Sequence, residues 1–414
     1  MQNIKEKFTL TCSITLTIWV MYFFATLQKV IIPGATFDEI QHIFNTNAAK
    51  TAQLGAAFMF AYAVMQLVVG TLADRFGGRR VIAAGGSLLC ISSLASGIGD
   101  SFALLFFWRG LTGIGAATIF LAMVKELSRI SKDKFPFLLG TAQLIGFAGG
   151  IAGASPFVAG IQNFGYHKMV LGAGIASLLP YLLYVVLFSK SEPLPVLSES
   201  PVSAGNLKRI FTKSNMFQIY ATATSFGIYF SLQSIIAKKF LEDFSSMTPA
   251  VAGIVLSLML LISAFNGFLV AGVIKLMKNR NAFLIRCASC LMLMAVALVV
   301  LAVLTNFRNQ FFFGAVMMLF PVAANLSPLI LERLRATNPP EIFGAVASIS
   351  NASAYLWVAL AGMLAGKLMD VFPPATVDGV NIYGRNSYLL VFGTFAVLEI
   401  IAVISAFQIH DRKN

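Results

Sequence analysis

Residues 51–98 read TAQLGAAFMFAYAVMQLVVGTLADRFGGRRVIAAGGSLLCISSLASGI. Two long apolar runs flank a turn that holds Asp74, Arg75, Arg79 and Arg80. A helix needs roughly 20 apolar residues to cross the hydrocarbon core of a bilayer, and each run is about that long. A soluble helix would keep a polar face, and neither run has one. The stretch reads as two membrane-spanning helices joined by a tight basic turn.

The rest of the chain repeats that pattern. Its 414 residues are 58% hydrophobic and 11% charged, with a mean hydropathy of +0.81. Soluble domains hold about 25% charged residues, so a soluble fold could not cover its surface, and a disordered chain would invert the balance. Runs long enough to span occur at 8–33, 51–73, 80–98, 102–123, 135–161, 168–188, 215–237, 248–274, 282–304, 310–331, 343–368 and 387–409. The longest polar gap, 189–214, is rich in Pro, Ser and charge and reads as a linker. The expected organisation is an all-α membrane protein of twelve transmembrane helices, with six-helix bundles at 1–188 and 215–414.

The net charge of +13 is a matter of topology. With the N-terminus cytoplasmic, 21 Lys and Arg residues fall on the inner side and four on the outer: Lys50, Lys168, Arg308 and Arg385. Lys29, Arg109, Lys238, Lys239 and Lys367 lie in spans or at their edges. This bias places both termini in the cytoplasm and argues against a nucleic-acid partner. Short loops and inner-leaflet basic charge suit a bacterial cytoplasmic membrane. The first apolar run is too long for a signal-peptide core and lacks a small-residue cleavage site.

The chemistry inventory favours transport. Cys12, Cys90, Cys287 and Cys290 fall in spans, and His42, His167 and His410 lie at span ends, so no metal site or cofactor is expected. No acids and bases gather at one depth for a membrane enzyme. A Walker loop for ATP and a repeated channel filter are both missing. A secondary transporter is the expectation for a six-plus-six arrangement.

In Gly70–Arg80 an aspartate ends one helix, glycines make the turn and basic residues follow. Flanking charges would explain the arginines but not Asp74 and the glycines at this spacing. Such a cluster of Asp74, Arg75, Arg79 and Arg80 suits a bistable cytoplasmic gate. The stretch resembles the loop 2–3 signature of the major facilitator superfamily, departing from it at Gly78, where a basic residue is usual. A degraded copy follows 200 residues on, with Lys275, Lys278 and Arg280 where Arg75, Gly78 and Arg80 stand and Ile274 in place of Asp74. The resemblance implies two pseudo-symmetric bundles rocking about a midplane site.

Span 4 adds Arg109-Gly-Leu-Thr-Gly113-Ile-Gly115, similar to the superfamily's span-4 motif. Arg109 either reaches past Gly113 to a neighbouring helix, in a coupling or packing role, or snorkels to the interface. Span 5 carries Gly140, Gly146, Gly149, Gly150, Gly153 and Gly160 with Pro156, but not the adjacent Gly-Pro of the superfamily's antiporter motif. These glycines read as close packing.

Lys29 is the sharpest single residue. It shares a helical face with Tyr22, Thr26 and Pro33 in the outer part of span 1. A cation there either attracts an anionic substrate or snorkels to water. Organic-anion members of the superfamily carry a basic residue about one turn earlier, at the position of Ala25 here, so the match is partial. Tyr229 and Gln233 on span 7, Asn325 on span 10 and Asn351 with Tyr355 on span 11 are further candidates. Asn and Ser also join helices without any ligand. Glu399 is the clearest intramembrane carboxylate but lies on span 12, peripheral in this superfamily; Glu126 sits beside Lys125 and Arg129. The driving ion, a proton or another, is unassigned.

The expected function is uptake of a small polar or anionic organic metabolite by alternating access, as a monomer among membrane lipids. A drug exporter on the same fold is the alternative, with 37 Phe residues in its favour. A non-transporting membrane receptor is the alternative from another class.

Overall fold

The computed structural model describes residues 2–130, 133–190, 210–277, 280–377 and 379–410. Every expected span is helical. Spans 1 to 4 begin with Gln2–Val30, Ala48–Phe76, Gly78–Ile98 and Phe102–Ile130. Span 5 comprises Phe135–Ala152 and Ser155–Phe164, and span 6 is Tyr166–Ser189. In the second half, span 7 begins with Lys213–Ser231, and spans 8 and 9 are Pro249–Leu276 and Asn281–Leu304. Span 10 is assembled from Gln310–Met317, Leu319–Ala324 and Ser327–Thr337, while Pro340–Met369 and Arg385–Phe407 form spans 11 and 12. Most of the 189–214 linker lies outside the described residues.

Eleven of these segments are long and apolar enough to cross a bilayer. The exception is span 7, whose helix Lys213–Ser231 continues through a wider turn at Leu232–Ile236 into Ala237–Asp243. Its polarity has a structural reason: Gln218, Thr222, Thr224, Ser225, Ser231, Gln233 and Ser234 are all buried against protein. Spans facing lipid instead expose large apolar side chains such as Leu67, Leu179, Phe268 and Leu276, as a hydrocarbon solvent requires.

Local chemistry sets the helix ends. Asn47, Thr212, Thr248 and Asn309 accept hydrogen bonds from free backbone N–H groups at the starts of spans 2, 7, 8 and 10. Proline and glycine set the interior breaks. Ile32 leaves helical geometry (φ −121°, ψ 119°) before Pro33, Gly153–Ala154 divide span 5, and Pro321 and Pro328 bracket the break of span 10 at Asn325.

Twelve crossings put both chain ends on one side, here the terminal face; the opposite side is the far face. The halves meet closely toward the far face. A Cβ on Gly34 would lie 2.6 Å from the Ser234 carbonyl oxygen, and one on Gly366 would lie 2.6 Å from the Ala52 side chain. Ser155 N–H donates to Ser257 Oγ across the same interface at 3.0 Å. A two-stranded hairpin, β1 (Ala375–Val377) and β2 (Val380–Ile382), lies between spans 11 and 12. The all-helical expectation did not include it.

Candidate functional site

Helical side chains lean toward the N-terminus of their own helix. From the far-face end of span 1, the Lys29 stem therefore runs back toward the membrane centre rather than out to water. Its Nζ lies 4.4 Å from the Tyr62 ring centre, 4.8 Å from that of Tyr355 and 5.6 Å from that of Phe230. The Tyr355 hydroxyl is 3.5 Å away. Lys29 is 5% exposed, and among the described residues no carboxylate forms an ion pair with it. Dehydrating an ammonium costs several kcal/mol, and each aromatic face returns about 0.5–2 kcal/mol. An anion would offset the rest.

Side-chain amides lie one helical turn from the cage residues: Gln66 from Tyr62, Asn351 from Tyr355, and Gln233 from Phe230. Asn351 Nδ2 donates to Gln66 Oε1 at 2.9 Å, joining spans 11 and 2, while the buried Gln66 Nε2 has no hydrogen-bond partner. On span 7, Gln233 is fully buried with neither amide atom paired. Buried amides are almost always hydrogen-bonded, so both can serve a ligand.

The other expected binding residues divide. Tyr22 stacks on Phe120 at 5.1 Å between ring centres and interacts with Tyr355 and Tyr62. Thr26 is turned away: its hydroxyl lies 2.6 Å from the Gly146 carbonyl and docks span 5. Tyr229 pairs with the Ser263 hydroxyl. Asn325 donates to the Ser263 carbonyl at 2.8 Å and accepts from Asn266 at 3.0 Å, closing the break in span 10. These last three join helices. Tyr62, Gln66 and Phe230 were not singled out from the sequence. The signal for the first two was a polar pair one turn apart on span 2.

Arg109 does not snorkel. It is 1% exposed and donates to the carbonyls of Gln28 at 2.9 Å and Ile32 at 2.6 Å, with its guanidinium 4.7 Å from the Phe58 ring centre. The break in span 1 frees these carbonyls, and Arg109 occupies them. Gly113 has no room for a side chain, because a Cβ would meet the Phe58 backbone oxygen.

The terminal-face network differs from the expected cluster. Asp74 pairs with Lys125 of span 4, not with the arginines of its own turn. Arg79 and Arg129 pair with Glu126 at 3.4 and 3.3 Å. Arg75 and Arg80 are exposed, and Arg75 lies against the Phe76 ring. Gly78 has a positive reason: a Cβ there would run into the Glu126 carboxylate. The carboxylate instead sits at the start of span 3, where the helix dipole favours it. In the degraded copy of the second half Lys275 and Arg280 are exposed, and Lys278 lies outside the described residues.

A second buried network closes the far face, and sequence reasoning missed it. Lys239 Nζ lies 2.8 Å from Asp38 of the first half and 2.7 Å from Asp243 of its own helix. Lys238 lies 2.9 Å from Glu242. Both lysines are at most 2% exposed. Asp243 also accepts from the Tyr388 hydroxyl at 2.7 Å and the Tyr383 N–H at 2.9 Å. Asp370 of span 11 accepts the N–H groups of Ala48 and Ala49 at 3.1 and 2.7 Å, capping span 2 across the interface. Burial pushes Glu242 up to about 8, against the pull of Lys238, and raises Glu39 and Asp243. Burial also acts on Asp38, but Lys239 and Lys238 outweigh it and keep that carboxyl below its usual range. The sequence signal was four charges, Lys238, Lys239, Glu242 and Asp243, just beyond span 7.

The family model for the Major Facilitator Superfamily matches residues 18–362. Over 159 residues the chain is 36% identical to the 4-hydroxybenzoate transporter PcaK of Pseudomonas aeruginosa, covering 38% of this chain and 34% of that protein. It is 26% identical over 194 residues to Multidrug resistance protein 2 of Bacillus subtilis, covering 46% of each chain. The first curated relatives are spanned over only 23% to 46% of their length. Among solved structures, a bacterial homologue of the human lysosomal transporter Spinster superposes with a TM-score of 0.73 at 18% identity, covering 95% of both chains. That likeness is one of fold.

Proposed function

The chain belongs to the Major Facilitator Superfamily, and we propose that it carries a small organic anion across the membrane by alternating access. The observation behind this reading is Lys29: a buried cation at the junction of the halves, ringed by aromatics and unpaired by any described carboxylate. The carboxylate or sulfonate of a substrate would bind its ammonium. A flat apolar body would lie against Tyr62, Tyr355 and Phe230, while Gln66, Asn351 and Gln233 would set its polar contacts. The 4-hydroxybenzoate carried by one relative has this chemistry.

A lipophilic cation, the usual cargo in a drug-export reading, would meet Lys29 as a like charge. We therefore favour uptake over drug export. The Lys/Arg bias supports a cytoplasmic terminal face, which makes the Asp38–Lys239 seal an outer gate in a bacterial inner membrane. The Asp74–Lys125 and Arg79–Glu126 pairs would hold the first bundle rigid as it rocks.

Exchange flux in proteoliposomes tests the proposal. Vesicles loaded with unlabelled 4-hydroxybenzoate should take up the labelled acid, and Lys29→Ala should abolish this uptake. Uptake of tetraphenylphosphonium in place of organic anions, unchanged by Lys29→Ala, would overturn the reading.

A further inference from the structure

Glu399 lies in the interior of span 12, fully buried. Its Oε1 is 2.7 Å from the Ser225 hydroxyl of span 7, and its Oε2 has no hydrogen-bond partner. Spans 7, 9 and 11 pack on span 12. Among the described residues, the titratable groups that interact with Glu399 are Tyr220 of span 7 and Cys290 of span 9. No cation among the described residues faces it. A carboxylate buried at this depth without a counter-charge is strongly disfavoured against its protonated form.

The hydroxyl geometry accommodates a proton there. Ser225 Oγ lies within hydrogen-bond distance of both Glu399 and the Ala221 carbonyl, at 3.1 Å. A serine has one hydrogen to donate and lone pairs to accept with. A neutral Glu399 can donate to Ser225 while Ser225 donates to Ala221; an ionised one takes the Ser225 hydrogen and still leaves its Oε2 unpaired.

We infer that Glu399 is a proton-binding site that holds its proton while the far face is closed and releases it when span 7 moves. Span 7 is the link: beyond Ser225 it carries Phe230 of the Lys29 cage and then Lys238 and Lys239 of the far-face seal. Displacing it opens the seal and separates Ser225 from Glu399, so that water reaches the carboxyl. The step is plain acid dissociation, with the proton passing to water and the carboxylate keeping the bond pair. This inference rests on the transport reading in assigning the proton to the carrier's cycle, but the occupancy of Glu399 stands apart from any substrate.

Infrared spectroscopy of the purified protein at neutral pH decides that occupancy. A protonated-carboxyl C=O band should be lost in Glu399→Gln and shifted in Ser225→Ala, which keeps the acid and removes its partner. A band unchanged in both variants would overturn the proposal. In proteoliposomes, Glu399→Gln should lose accumulation of 4-hydroxybenzoate driven by a pH gradient yet keep one-for-one exchange. Gradient-driven accumulation at wild-type level in Glu399→Gln would overturn the cycle role. Absence of flux in the wild type would instead count against the substrate reading, leaving the infrared result to decide the proton site.

Discussion

At the terminal face, among the described residues, Asp74, Arg79, Lys125, Glu126 and Arg129 form ion pairs with one another, all within spans 2 to 4. At the far face, Asp38 of the first half pairs with Lys239 of the second, and Asp370 of the second half caps a helix of the first. One network stiffens a bundle; the other locks two bundles together. Rocking of the halves, as proposed above, would leave the first network intact and break the second. Between them lies Lys29, whose charge neither network neutralises.

Removing a partner from the far-face lock should have the largest effect. Lys239→Ala leaves the Asp243 carboxylate and the partly buried Asp38 without this cation, and breaking a buried pair costs up to about 3–5 kcal/mol. Thermal unfolding should reveal it, and a melting temperature equal to wild type would show that the lock carries little weight.

The lock should also respond to pH. Glu242 titrates near 8 when the face is closed, against an ordinary value of 4.5. Between these values the closed form keeps a proton that the open form has lost, so closure weakens as pH rises through that window and levels off above it. Labelling of a far-face cysteine probe, normalised at each pH to that of a free thiol, should increase severalfold from about pH 5 to about pH 8.5. Glu242→Gln should reduce the slope, leaving the part carried by Glu39, Asp243 and Glu399, whereas an unchanged slope in that variant would place the titration elsewhere.

The terminal-face network should give smaller changes. Gly78→Ala pushes a methyl group into the Glu126 carboxylate, an overpacking cost of about 1–3 kcal/mol. Arg80→Ala, at an exposed position, should shift stability by no more than about 0.5 kcal/mol. A larger loss from Arg80→Ala than from Gly78→Ala would reverse the account of which turn residues matter.

The contrast between the networks also explains what the sequence could reveal. The spans were legible because hydrocarbon imposes a simple length and polarity rule on each one. The loop 2–3 turn was legible because its charges and glycines cluster locally in the sequence, but its partners Lys125 and Glu126 come from span 4, so their pairing with Asp74 and Arg79 required the fold. The far-face lock joins residues 201 positions apart, Asp38 and Lys239, and no local pattern reports that. Lys29 stood out as a charge in an apolar helix. Tyr62 and Gln66 did not, since polar residues on a span join helices as readily as they bind ligands. Thr26 and Asn325 had the residue types of a binding site and were used in packing.

The claim that Lys29 binds an organic anion is tested most directly by thermal stabilisation of the purified protein, wild type and Lys29→Ala, against 4-hydroxybenzoate and tetraphenylphosphonium. A ligand bound only by the folded state at a hundredfold excess over its Kd adds about 2.7 kcal/mol. The account predicts a rise in melting temperature with the acid that disappears in Lys29→Ala. Stabilisation by the cation alone, equal in both proteins, would contradict it.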